Sequence, residues 1–251
     1  MFLTKISSIC VAIFLSLNAF ALPQSKENKR ERPLWGHVVT GTADTLPHEL
    51  SAVGSLFIGH GINPSLTVLT IPQIFFIYNM VSAGTRLGHH FTEFYSTSAD
   101  LIYMKSVPAF GGTYKQENFY FRSNHTFKIN NAYRIHATFG VQYFLVDDIT
   151  YSLRLNPSVY NPTNFSLTHM HEVWLDENTG INIELGLIGI NYNTPYLQAG
   201  TSFFLYDESD FSINLGASIS YALGKTQNYK IYHSREHDYV IHPEIQFQYY
   251  F

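Results

Sequence analysis

Cysteine is almost missing: the chain has one in 251 residues, Cys10, and it lies inside an apolar leader. Without a second thiol there is no disulfide scaffold, and without thiolates there is no Cys-based metal site. Charge is sparse too, at 14% of residues. Long apolar runs are the third shortage. Beyond the leader, the most apolar stretch is 71–81, and it contains Pro72, Gln73 and Asn79. A spanning helix needs ~20 apolar residues, and a mean hydropathy of −0.04 is too polar for a helical membrane protein.

The leader itself is informative. Lys5 precedes an apolar stretch from Ile6 to Leu17, and Ala19-Phe20-Ala21 supplies a small-x-small site. That is the pattern of a cleaved export signal, too short to cross a bilayer as an anchor. Cleavage is expected after Ala21, with residues 1–21 removed. Cys10 has no small-residue box ending on it, which excludes a lipoprotein. Fifteen basic residues less Lys5 leave 14 against 19 acidic ones, a balance of −5. This gives no reason to expect a nucleic-acid partner.

Aromatic residues are abundant, with 18 Tyr and 20 Phe. Many sit in segments that alternate with period two, the mark of a strand with one dry and one wet face. In 211–223, Phe211, Ile213, Leu215, Ala217, Ile219 and Tyr221 alternate with Ser212, Asn214, Gly216, Ser218 and Ser220. The range 133–145 repeats the pattern, and 181–187 and 197–205 do so more briefly. A soluble β-sandwich would also alternate, but its strands average 5–6 residues, whereas these match the 9–11 that cross a bilayer. Short turn-forming connectors, such as Asn130-Asn131 and 176–180, alternate with longer polar ones at 147–164 and 224–238.

Eleven strands can be paired from the C-terminus backward: 239–251, 210–223, 194–206, 180–191, 166–176, 132–146, 118–129, 94–105, 79–91, 65–71 and 49–60. Single-chain bacterial barrels have even counts. The twelfth strand is expected at Leu34–Gly41, ten being the alternative count, after a flexible lead-in over 22–33. The fold class is thus all-β: a transmembrane, antiparallel up-and-down β-barrel, with 34–251 as one domain.

The last strand is the most specific signal. It ends Ile245-Gln246-Phe247-Gln248-Tyr249-Tyr250-Phe251, with Phe247, Tyr249 and Phe251 on one face. It resembles the C-terminal assembly signal of bacterial outer-membrane β-barrel proteins, which pairs with the barrel-assembly machinery by β-augmentation. The resemblance covers this strand and the architecture, and points to no functional family. It implies an outer-membrane location, with lipid and lipopolysaccharide around the barrel. The oligomeric state is not readable.

If the odd positions meet lipid, the even ones face the lumen. That places Arg86, His90, Asp100, Arg122, Lys128, Arg134, His136, Glu184, His242 and Glu244 inside. Mixed charges in a narrow lumen are expected to pair and close it, or to form a charged constriction for a small solute. The expected function is a narrow pore or a structural or surface-interaction element of the envelope.

The alternative is a barrel enzyme acting on lipid or peptide. Outer-membrane phospholipases use His-x-Ser and omptin-type proteases Asp-x-His, and neither occurs here. The nearest approaches are His136-Ala137-Thr138 and His90-Phe91-Thr92. No catalytic residue is therefore assigned and no enzyme expected. His169-Met170-His171 and the group His233, His237, Asp238 could bind a metal, but neither supplies a fixed third ligand. No cofactor or metal is expected.

Overall fold

The computed structural model describes residues 40–73, 75, 80–107, 116–146, 163–191, 195–206, 210–223 and 239–251. Within them are twelve strands: β1 (Ser51–Gly54), β2 (Ile58–Asn63), β3 (Leu66–Thr70), β4 (Met80–Thr92), β5 (Tyr95–Ser106), β6 (Gln116–Asn130), β7 (Tyr133–Val146), β8 (Thr163–Trp174), β9 (Thr179–Ile188), β10 (Tyr196–Tyr206), β11 (Phe211–Ala222) and β12 (Tyr239–Tyr250). Each pairs antiparallel with its neighbours in sequence, and β12 closes on β1. The closed sheet leaves no edge.

Twelve strands are present, but the twelfth is not where the sequence places it. Thr40 and Gly41 belong to no strand, and the rest of 34–41 lies outside the described residues. Instead, the range 49–60 divides into β1 and β2 around a turn at 55–57. Ser55 N bonds to Phe247 O at 2.9 Å and Gly54 N to Phe57 O at 3.1 Å, so the chain folds back after four strand residues. A continuous strand would have kept one parity. Here Ala52 pairs with Gly59, so the inward positions become odd across β2 and β3. Pairing of Thr67 with Arg86 restores even parity in β4.

From β4 to β12, the described even side chains point inward and the odd ones outward. On β5, Ser96, Ser98, Asp100, Ile102 and Met104 are buried. Outside, Leu101, Phe121, Val141 and Phe165 form one row across β5–β8. Above and below this row lie aromatic rings: Tyr103 against Phe119 at 5.1 Å, and Tyr95 against Phe91 and Phe127 at 5.5 and 4.9 Å. Tyr95 and Tyr103 lie eight residues apart on one strand. On a strand tilted ~40° that separation is roughly 20 Å, close to the apolar band of outer-membrane barrels. No described helix is long and apolar enough to cross a membrane.

The turns at 63–66, 92–95, 130–133 and 174–179 lie at one end, together with Tyr206, Phe211, Glu49 and Phe251. There Ser51 and Phe251 exchange two backbone hydrogen bonds of 2.8 and 2.9 Å, closing the seam. Phe247, Tyr249 and Phe251 are exposed on the outer face, and the last two stack at 5.9 Å.

Candidate functional site

The lumen is occupied by the chain itself. Residues 40–47, which precede β1, run through the interior, and Thr40, Thr42, Ala43 and Leu46 are buried. Their backbone is held by side chains of the wall. Thr40 N donates to Glu184 Oε1 at 2.7 Å, and its hydroxyl donates to the same oxygen at 2.6 Å. Gly41 N donates to Thr138 Oγ1, Ala43 N to Thr126 Oγ1 and Leu46 N to Thr67 Oγ1, all at 2.9 Å. Two carbonyls are also met: Thr138 Oγ1 donates to Gly41 O at 3.1 Å and Arg86 Nη1 to Asp44 O at 2.9 Å. The anchors come from β3, β4, β6, β7 and β9, so the segment crosses the lumen. Chain inside a barrel has no sheet partner, and unpaired buried N–H groups are costly, so the wall must supply the bonds.

Two positions show how closely segment and wall approach. A Cβ on Gly41 would lie 2.5 Å from Asn124 Oδ1, and one on Gly61 would lie 1.9 Å from Pro47 O. Only glycine fits at Gly61, where the obstacle is backbone, and at Gly41 a Cβ would force the Asn124 amide to shift. The chain then leaves the lumen through Glu49, whose φ of 64° is left-handed and whose N–H donates to Gly61 O at 2.9 Å.

The wall charges pair along the wall between neighbouring strands rather than across the lumen. Arg86, Asp100 and Arg122 share one row of β4, β5 and β6. Arg86 Nε and Nη2 donate to the two oxygens of Asp100 at 2.5 and 2.8 Å, and Arg122 donates to Oδ2 at 2.9 Å. Asn124 Nδ2 adds a bond of 3.1 Å. In a second group, Arg134 Nε donates to Glu172 Oε1 at 2.7 Å, Trp174 Nε1 donates to the same oxygen, and Arg134 Nη1 reaches Asp44 Oδ2 at 3.4 Å.

His136 joins the second group. Its Nε2 lies 3.1 Å from Glu172 Oε2 and its Nδ1 lies 2.9 Å from Thr126 Oγ1. This is a buried hydroxyl–imidazole–carboxylate row, the arrangement that activates hydroxyl nucleophiles. The hydroxyl partner is Thr126, not Thr138 of the His136-Ala137-Thr138 sequence, which bonds Gly41 and Asn124 instead.

The other sequence-derived positions are less gathered. Glu184 binds Thr40, whereas His90 is exposed at the short-turn end. Lys128 is half-buried opposite Arg134, and Glu244 is half-buried opposite Gly216. For His242 only the backbone register, opposite Ser218, is described. Asp44, Thr126 and Glu172 were not among the lumen positions read from the sequence, and Thr138 entered only through His136-Ala137-Thr138. Glu172 obeys the even-position rule, but nothing periodic marks Asp44 or its neighbours.

At the short-turn end the interior is apolar. Trp174 packs against Phe204 at 4.9 Å and Tyr206 at 5.5 Å, in a cluster with Leu46 and Tyr250. Facing lipid rather than lumen are His169 and His171, with ring centroids 5.4 Å apart, and His171 Nδ1 lies 2.6 Å from the Tyr133 hydroxyl. His233, His237 and Asp238 lie outside the described residues. Among the described residues, no three metal-binding side chains converge.

A closed, even-stranded antiparallel barrel with an apolar, aromatic-edged outer band and a polar interior is the fold of bacterial outer-membrane β-barrel proteins. No protein family and no curated protein matches the chain. Among solved structures it is similar to OmpT, an outer membrane protein of Vibrio cholerae folded in vitro, with a TM-score of 0.45 and 11% identity over 80% of this chain. The chain spans 64% of that protein's length. It is also similar to the KdgM porin, solved in complex with disordered oligogalacturonate, with a TM-score of 0.42 and 11% identity over 80% of this chain and 95% of that one.

Proposed function

We propose that this protein is an outer-membrane barrel whose lumen is closed at rest by its own segment 40–47, and that it serves the envelope as a gated narrow pore or a surface element. The observation that carries this reading is the set of wall-to-backbone hydrogen bonds holding Thr40, Gly41, Ala43, Asp44 and Leu46 inside the barrel. The short-turn end faces the periplasm in the usual orientation of such barrels. In planar bilayers the wild-type protein is expected to show little or no steady current, and Gly41→Val, which drives a side chain into Asn124, to conduct. A large, steady wild-type conductance would overturn the closure.

A second reading, a barrel enzyme acting on lipid or peptide, has one observation in its favour: the row Thr126–His136–Glu172. It requires a hydrolytic rate on an ester or peptide substrate that Thr126→Ala removes. A rate equal to the buffer background in both proteins sinks it.

A further inference from the structure

The bonds that hold segment 40–47 differ in kind from those of a packed core. Four N–H groups and two carbonyls of its backbone are met by wall side chains from five strands. Among its own side chains, the Thr40 hydroxyl bonds Glu184, the Asp44 carboxylate lies beside Arg134, and the Thr45 hydroxyl bonds Pro64 O. The wall therefore reads main chain, as a sheet edge does for an added strand, though at the uneven positions 40, 41, 43, 44 and 46. Besides Leu46, which enters the apolar cluster, two places select by side chain. Position 41 favours glycine, because a Cβ there would lie 2.5 Å from Asn124 Oδ1 and force that buried amide to shift. Position 44 favours an acid, because its carboxylate lies 3.4 Å from Arg134.

From this we infer that the lumen is a binding site for an extended peptide in trans, with glycine and an acidic residue three positions apart, and that the protein's own segment holds the site in cis. Tethering places that segment at an effective concentration in the millimolar range for short linkers, so a free peptide binds only when the segment is displaced. The site rests on the reading of 40–47 as a removable occupant. Its test does not use conductance, so the two can fail separately.

The experiment uses the full chain in detergent micelles, as wild type and as Gly41→Val. The probe is a fluorescein-labelled peptide with the sequence of residues 40–47, followed by fluorescence anisotropy. Saturable binding to the Gly41→Val barrel is expected, with at least tenfold weaker binding to wild type. A peptide carrying valine in place of glycine should lose at least tenfold in affinity, whereas one carrying alanine at the position of Thr45 should keep it. If Gly41→Val fails to fold, Asp44→Lys weakens the same segment from its charged side and takes its place. No saturable binding to either folded variant overturns the peptide site, even if the variants conduct. Equal binding of the glycine and valine peptides also overturns it, since the probe would then be reading surface rather than slot.

Discussion

Asp100 accepts hydrogen bonds from Arg86, Arg122 and Asn124, and both it and Arg86 are fully buried. Such a group holds together because every charge has a partner; removing one leaves two guanidinium groups facing each other without an acid. Asp100→Ala is expected to lower stability by about 3–5 kcal/mol, read as a shift in urea unfolding from lipid vesicles. Lys105 and Glu117 form an ion pair at 2.8 Å, but Lys105 is 57% exposed, and screening by solvent reduces its worth. Glu117→Gln should cost no more than ~1 kcal/mol. Equal costs for the two substitutions would mean that the lumen is wet enough to screen the Asp100 group.

Among the elements, the long strands β4–β12 were legible because period two and length act together. Ile219 lies outward on β11 opposite Ile241, and Ser218 inward, as the alternation requires. Ile219→Arg should cost about 2–4 kcal/mol if the residue sits near the bilayer midplane, and urea unfolding in vesicles checks this. The short strand β3 was read at 65–71, but β1 and β2 were merged into one strand, 49–60. At four to six residues each, they carry too few repeats to show a period, and their parity flips at the 55–57 turn. A glycine-rich stretch of that kind could be one strand or two on pattern alone. The last strand is different, because its aromatic face and final residue are a fixed signal. Phe251 exchanges two backbone bonds with Ser51, so deleting it removes the last two bonds of the seam, whereas Phe251→Ala keeps the bonds but loses the Tyr249 stack. Deletion should lower the outer-membrane level more than Phe251→Ala does. Fractionation followed by immunoblotting would show this, and normal levels of the deletion variant would remove the assembly role.

At the scale of the whole molecule, the sequence pointed to a closed lumen for a different reason from the one the structure shows. Alternating charges gave an expectation of pairing across the lumen, but adjacent strands bring Arg86, Asp100 and Arg122 into one row, where they neutralise each other along the wall. What fills the space is a stretch with neither period nor charge run, and such a stretch has no local signature because its partners are scattered over β3–β9. Hydroxyl anchors make four of the six wall-to-backbone hydrogen bonds that hold the segment, and Glu184 and Arg86 make the other two. Replacing Thr67, Thr126 and Thr138 together by valine keeps the volume but leaves Leu46, Ala43 and Gly41 N–H groups without acceptors. Each unmet buried donor costs about 1–3 kcal/mol, and the cost falls on the bound segment rather than on the sheet, whose backbone ladder is untouched. The triple variant should fold to the same heat-modifiable barrel on gels while showing flickering current in planar bilayers as the segment leaves and returns. Raising the salt concentration should change that flicker little, because Asp44 to Arg134 at 3.4 Å is the one ion pair of the segment among the described residues. A silent triple variant would show that Glu184, Arg86 and the apolar cluster around Leu46 suffice to hold the segment.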